Sequence, residues 1–364
     1  MYFNIPVKIH FGKNSIKENK KELSSFGKKA FIVTGKHSAK KSGALDDLLE
    51  ALNTLSIEFI LFNEITENPN ISSIEKGSLI LKQNNCDFII AIGGGSPLDA
   101  AKAISLMYAN NLNKNNIFDN SLHKSALPLI AIPTTSGTGS EVTPYSVLTN
   151  NETQIKAGFG SPLMFPKISF IDPKYTISAN KHITRDTAVD ALSHLLEGIY
   201  SLNHADFLQP LIFKGIELIY NYLLPCLEEP DNYQFRENLM LASTYGGMVI
   251  AHSSTTLQHS IGYPLTTVYG LSHGMANGVV MKNMMNFYEP HLDNRLNKLF
   301  EYLRINKQDF FNWLDKLDLK FEHHITEEFL TARIPEVLNS RNMAITPVKV
   351  NEEQLKKLYL QLNH

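Results

Sequence analysis

The chain of 364 residues contains only two cysteines, Cys86 and Cys226, and one tryptophan, and its formal net charge is −2. Two cysteines far apart, with no CxxC, exclude both a disulfide framework and a thiolate zinc ribbon. With a pI near 6.7 there is no basic surplus to recognise nucleic acid or an anionic membrane, and neither is expected as a partner. Long apolar runs are missing as well. Stretches such as Phe88–Gly93 have the length of a strand, far short of the roughly 20 residues needed to cross a bilayer. The opening MYFNIPVKIHFG alternates like a strand and has no basic segment leading into an apolar one, so no secretory signal is expected. The expected compartment is the cytoplasm. Internal repeats, low-complexity tracts and long charged runs are also lacking.

The remaining composition is that of an ordinary globular protein, 43% hydrophobic and 19% charged with 16 prolines and 20 glycines. A chain of this length exceeds one compact core, and two domains are the natural division. The first half alternates strand and helix patterns. Val7–Phe11, Ala30–Thr34, Ile57–Phe62, Asp87–Ile92, Leu127–Ile132 and Ile168–Ile171 read as strands, with helices over Leu45–Leu55 and Ile74–Asn84. Continuous apolar strands are those of a parallel sheet covered on both faces, which places ligands at the carboxyl ends of the strands. From about Asn180 onward the spacing becomes helical, over Thr187–Tyr200, Leu208–Leu224, Gln234–Ala251 and Leu296–Arg304. The fold class expected is therefore a Rossmann-like α/β domain over residues 1–177, followed by an all-helical domain over 178–364.

Three strand-end loops carry chemistry. GGGSPLD (Gly93–Asp99) follows a buried strand, and its glycines let a pyrophosphate approach the N-terminus of the next helix. Ser96, Pro97 and Asp99 read as N-cap, N1 and N3 of that helix. The segment is neither GxGxxG nor a P-loop, so a standard Rossmann turn is not expected. PTTSGTGSE (Pro133–Glu141) offers Thr134, Thr135, Thr138 and Ser140 as hydrogen-bonding groups for a ribose or a nicotinamide amide. Lys156 reaches toward the same ligand, although by itself it reads as a surface lysine, and Asn68 in the TENPN turn joins the cofactor candidates. The third loop, GKHSAKKSG (Gly35–Gly43), has Gly35 where an acid would select a free 2′-hydroxyl. Lys36, Ser38, Lys40 and Lys41 suit a 2′-phosphate, so NADP(H) is expected over NAD(H).

The helical half carries LQHSIGYPLTTVYGLSHGMAN (Leu257–Asn277), with His259 and His273 on either side of a stretch interrupted by Gly262, Pro264 and Gly270. Upstream, VDALSHLLE sets Asp190 and His194 at i, i+4 on one helical face, about 6 Å apart. One carboxylate and three imidazoles, without a thiolate, form a ligand set suited to divalent iron or zinc.

Taken together, GGGSPLDAAKAI (93–104), PTTSGTGSEVTPYSVLT (133–149), Asp172-Pro173, VDALSHLLEGIYS (189–201) and the His259–His273 segment closely resemble the iron-containing (group III) alcohol dehydrogenases. TGKxSxKKxG and GYPLTT point to the NADP-preferring branch that handles primary alcohols and 1,3-propanediol. The resemblance implies a dehydroquinate-synthase-like architecture with a metal in the cleft between two domains. It implies Asp190, His194, His259 and His273 as metal ligands, Gly94, Gly95 and Ser96 at the pyrophosphate with Asp99 nearby, and Thr134, Thr138 and Lys156 at the nicotinamide. Many relatives have a further histidine four residues after the third ligand, assigned to proton relay. Tyr263 stands there, as a phenol donor or as a pocket wall. The implied reaction is hydride transfer between NADP(H) and a small alcohol or aldehyde, with iron (alternatively zinc) as Lewis acid. A zinc polyol dehydrogenase and a dehydroquinate-synthase-like lyase are the neighbouring activities, and a homodimer or larger homo-oligomer is the expected assembly.

Overall fold

The computed structural model describes residues 3–150 and 155–363. Eight strands occur among them: β1 (Lys8–Phe11), β2 (Lys29–Gly35), β3 (Glu58–Ile65), β4 (Phe88–Gly93), β5 (Leu129–Pro133), β6 (Tyr145–Thr149), β7 (Lys156–Gly160) and β8 (Ile168–Ile171). Six form a parallel sheet in the order β1-β8-β5-β4-β2-β3. Strand alternation explains why the central strands are apolar throughout. Phe88, Ile90 and Ile92 face one hydrophobic cluster, while Ile89 and Ala91 face another on the opposite side, each layer being covered by helices. The helices of this half are α1 (Ser15–Asn19), α2 (Ser38–Lys41), α3 (Ala44–Thr54), α4 (Ile71–Asn84) and α5 (Gly95–Asn110).

Strand order reverses between β2 and β4, the position where parallel α/β sheets open a crevice. Thr34 of β2 is paired with Ile92 of β4, and Gly93 of β4 with Pro133 of β5. The loops beginning at Gly35, Gly94 and Thr134 therefore leave the sheet side by side. A β6–β7 hairpin, antiparallel and separate from the main sheet, was not anticipated from sequence. Its strand β7, KAGFG, has two glycines and a lysine among five residues, a composition without strand propensity. It is held by its partner strand and by the Asn70–Thr149 bridge.

The second half is helical, as its spacing predicts. It begins with α6 (Lys181–Tyr200), α7 (Gln209–Glu228), α8 (Tyr233–Ser253), α9 (Leu257–Tyr269) and α10 (His273–Val279). The sequence suggests interruptions at Gly262 and Pro264, yet α9 runs through both and ends at Gly270, whose φ is +71°. Gly270 has the left-handed backbone that terminates helices, whereas Pro264 sits in the interior at the cost of one backbone hydrogen bond. No helix among the described residues is long and apolar enough to cross a membrane.

The two halves meet backbone to backbone. A Cβ on Gly139 would lie 2.3 Å from Gly247 Cα, and one on Gly247 would lie 2.6 Å from the Gly139 carbonyl oxygen. Glycine is required on both sides of this contact between the loop after β5 and α8. Gly247→Ala is expected to cost about 1–3 kcal/mol through overpacking. The measurement is the urea midpoint, and an unchanged midpoint would show that the two halves part more easily than this contact implies.

Candidate metal and dinucleotide site

Helix α6 is buried along most of its length, and it brings Asp190 and His194 to one face. His259 comes from the second residue after the start of α9, and His273 begins α10. Ser272 caps α10 by accepting from Met275 N at 3.3 Å, and its hydroxyl donates to Asp186 at 2.5 Å. A Cβ on residue 274 would fall 1.7 Å from the Asp186 carbonyl oxygen, so Gly274 is what allows α10 to lie against α6.

All three histidines turn Nε2 toward one carboxylate oxygen. Asp190 Oδ1 lies 3.8 Å from His194 Nε2, 3.7 Å from His259 Nε2 and 3.6 Å from His273 Nε2. Asp190, His259 and His273 offer ligand atoms that are all within 4.8 Å of one another. The His194 ring stacks on His259 with centroids 4.9 Å apart. These separations are too long for hydrogen bonds. They are near the roughly 3.4 Å expected between two ligands each about 2.1 Å from a shared tetrahedral ion. The donor set fits a divalent cation chemically as well as by spacing. Burial alone would raise the Asp190 carboxyl pKa, but His194, His273 and His259 outweigh it and hold the group well below the usual carboxylate range. Burial lowers the pKa of both His194 and His273, leaving neutral imidazoles with a lone pair to give.

Glu197 was not singled out from sequence. It is fully buried one further turn along α6, accepts from Thr256 N at 2.6 Å and Thr256 Oγ1 at 2.8 Å, and bonds to His259 Nδ1. A carboxylate on Nδ1 fixes the ring and keeps Nε2 directed at Asp190, the usual support for a metal-binding histidine. Its signal was present: Asp190, His194 and Glu197 follow i, i+4, i+7 along one helical face.

On the sheet side, α5 begins at Gly95 with Gly94 as its N-cap and no side-chain cap. Ser96 is therefore not the N-cap the sequence suggested, and Asp99 does not serve the helix start. Asp99 Oδ1 instead accepts from Ser140 Oγ at 2.6 Å, and Asp99 Oδ2 from Val147 N at 3.0 Å. The glycines have a packing role beside any ligand. A Cβ on Gly95 would meet Thr138 Cγ2 at 2.6 Å, and one on Gly94 would meet Thr135 Oγ1 at 3.1 Å. The threonine loop thus lies against the start of α5, bringing Gly94, Gly95, Thr135 and Thr138 together, with Thr134 at the same strand end. Gly35, Lys36 and Ser38 lie at the neighbouring strand end, with both side chains exposed.

Lys156 is no surface residue. It is buried, donates to Asn68 Oδ1 at 2.9 Å, and places Nζ 5.6 Å above the Tyr263 ring. Tyr263 in turn stacks on His273 with centroids 5.6 Å apart. Lys156 and Tyr263 therefore join the sheet loops to the histidine cluster. Burial lifts the Tyr263 phenol far above its ordinary pKa, and Glu197, Asp190 and Asp99 push it further.

Two family descriptions match the chain: "Iron-containing alcohol dehydrogenase" over residues 6–173, and "Fe-containing alcohol dehydrogenase family, C-terminal" over residues 184–362. The chain belongs to the iron-containing alcohol dehydrogenases. It is 32% identical over 315 residues to the NADPH-dependent butanol dehydrogenase of Clostridium saccharobutylicum, covering 85% of this chain and 78% of that protein. It is also 32% identical over 290 residues to NADH-dependent butanol dehydrogenase B of Clostridium acetobutylicum, covering 78% and 74%. An iron-containing alcohol dehydrogenase from Thermotoga maritima, solved by crystallography, superposes with a TM-score of 0.94 at 34% identity over 100% and 99% of the two chains. This iron-containing alcohol dehydrogenase is thus an NAD(P)-dependent oxidoreductase acting on small alcohols or aldehydes, and the family implies iron with either nicotinamide dinucleotide.

A buried network lies behind the loops that follow β4 and β5 of the enzyme. Lys102 is fully buried and donates to Ser140 Oγ at 2.6 Å and the Tyr145 carbonyl at 2.9 Å. Burial lowers its pKa from 10.5 to about 8, against the pull of Asp99 and Glu141. Between pH 8 and 10 the unfolded lysine holds more protons than the folded one, so its contribution to stability grows as pH rises through that window. The difference in urea midpoint between wild type and Lys102→Met is expected to move in favour of the wild type from pH 8 to 10. A difference independent of pH would show that Lys102 stays charged in the folded protein.

Proposed function

We propose that the chain is an NADP(H)-preferring dehydrogenase of small primary alcohols or diols that works mainly with iron held by Asp190, His194, His259 and His273. The observation that carries this reading is the convergence of three imidazole Nε2 atoms within 3.6–3.8 Å of one buried Asp190 oxygen. That cluster lies beneath Tyr263, with Lys156 above it. In this reading the two domains divide near residue 177, and their cleft is the reaction chamber.

When bound, the ion supplies Lewis acidity at the substrate oxygen, and the dinucleotide accepts or donates hydride. The residues supply the rest. Backbone N–H groups at Gly94, Gly95 and Ser96 receive the pyrophosphate at the head of α5. Thr134, Thr135 and Thr138 offer hydroxyls to the nicotinamide half, and Lys156, steadied by Asn68, sits at the junction of the two ligands. Asp99 holds Ser140, and so the threonine loop, in register. Tyr263 is read as a wall that stacks on His273 and excludes water from the reacting carbon.

Preference for NADP(H) rests on Gly35, Lys36 and Ser38, which leave room and cationic charge for a 2′-phosphate where other sheets present an acid. A homodimer or larger assembly in the cytoplasm completes the proposal, the assembly by analogy with the family.

After anaerobic loading with ferrous iron, oxidation of NADPH and NADH is to be followed with short aldehydes in parallel. Iron-dependent turnover favouring NADPH is expected. Lys36→Ala should raise KM for NADPH about tenfold, a loss of roughly 1.4 kcal/mol, while leaving KM for NADH unchanged. Turnover with NADH alone would keep the enzyme class and overturn the cofactor preference. In His273→Ala, bound iron measured by elemental analysis and turnover should both be lost. A variant that retained full iron and full rate would remove His273 from the ligand set.

A further inference from the structure

Asn277 lies four residues after His273 on α10 and is fully buried. Its carboxamide nitrogen is 3.1 Å from Asp190 Oδ1 and 3.1 Å from His259 Nε2. Those two atoms belong to the cluster from which a metal would be held. Chemistry fixes which way the amide points, because the reversed orientation would set its oxygen against a carboxylate. One N–H therefore donates to Asp190. The same nitrogen lies beside His259 Nε2, while Glu197 bonds the ring's other nitrogen, Nδ1.

The carboxamide is itself held in place. A Cβ on Gly262 would lie 2.4 Å from Asn277 Oδ1, so the missing side chain at residue 262 is the space the amide occupies. The Asn277 carbonyl accepts from the buried Gln258 Nε2 at 2.9 Å. Gln258, Gly262 and His259 share α9, so that helix both supplies an imidazole and clamps the residue that aligns it. Asn277 Oδ1 has no hydrogen-bond partner among the described residues. A buried amide left half satisfied is costly, and here the satisfied half is the one facing Asp190 and His259.

We propose that Asn277 is a positioning residue for the metal centre, its carboxamide holding the Asp190 carboxylate turned toward His259 Nε2, with Gly262 as the notch that keeps it there. This rests on the reading of Asp190 and His259 as metal ligands. Supporting groups of this kind are worth about 10–100-fold in metal affinity. Asn277 turns its amide nitrogen, which has no lone pair to give, toward Asp190 and His259, and Gly262 has no side chain, so their effect on affinity would be transmitted through Asp190 and His259.

The test is a zinc titration of the full-length, metal-stripped protein against a chromophoric chelator, accompanied by the thermal midpoint with and without zinc. Asn277→Ala is expected to weaken zinc binding by about 10–100-fold and to shrink the zinc-induced rise in midpoint. Gly262→Ala should do the same by displacing the carboxamide, and the double variant should bind no more weakly than the worse single one. Wild-type zinc affinity in Asn277→Ala, whatever the midpoint of the stripped protein, would overturn the proposal and leave the metal reading intact. Additive losses in the double variant would also overturn it, since the two residues would then act separately. A wild-type protein that took up no zinc and no ferrous iron would remove the metal reading, and the role of Asn277 with it.

Discussion

A single buried carboxylate sets the terms for this molecule. Asp190 is almost wholly removed from solvent, and an isolated charge in such a place would be neutralised or would unfold its surroundings. Three imidazoles surround one of its oxygens, and the Asn277 amide supplies a neutral donor to it. Such a cluster offers ligand atoms of the kind a divalent cation takes, and the family implies iron. Glu197, also buried, orients His259 from behind. Much of α6, α9 and α10 serves to hold a handful of polar atoms in an apolar bundle.

The second constraint is the contact between the halves. The sheet presents three loops along its carboxyl edge, and the helices present the histidine cluster. Chemistry between ligands bound to each requires that the halves approach closely. Glycines at 139 and 247 allow that approach by removing side chains from the contact itself, and Gly137 does the same against Thr187. Lys156 and Tyr263 then close the remaining distance with side chains, one from the hairpin and one from α9. The junction of the halves is consequently shaped by residues far apart in sequence, such as Asn68 and Lys156, 88 positions apart.

Much of this was legible in the sequence, for reasons that are local. The strands Phe88–Gly93 and Leu129–Pro133 announce themselves as continuous apolar runs because both faces of the sheet are covered. Helix α6 puts Asp190 and His194 together because its geometry alone relates residues four apart. Other features were hidden. Strand β7 of the hairpin has too little β propensity to be seen, and it is held by its pairing with β6. Ser96 looked like a helix cap, but α5 starts earlier, at Gly95 with Gly94 as its N-cap, and Thr138 packs where the side chain of residue 95 would be. Gly262 and Pro264 looked like interruptions, yet α9 tolerates both.

Sequence by itself determined the fold class, the order of the motifs and the kinds of ligand atom available, since each follows from periodicity, spacing or residue chemistry along a continuous segment. Tertiary structure alone decided which atoms converge. That Lys156 is buried against Asn68 and Tyr263, that Glu197 stands behind His259, and that Asn277 fills the space at Gly262 all depend on contacts between separate elements. Such contacts arise from how helices and loops pack in three dimensions, and no local pattern in the chain encodes them.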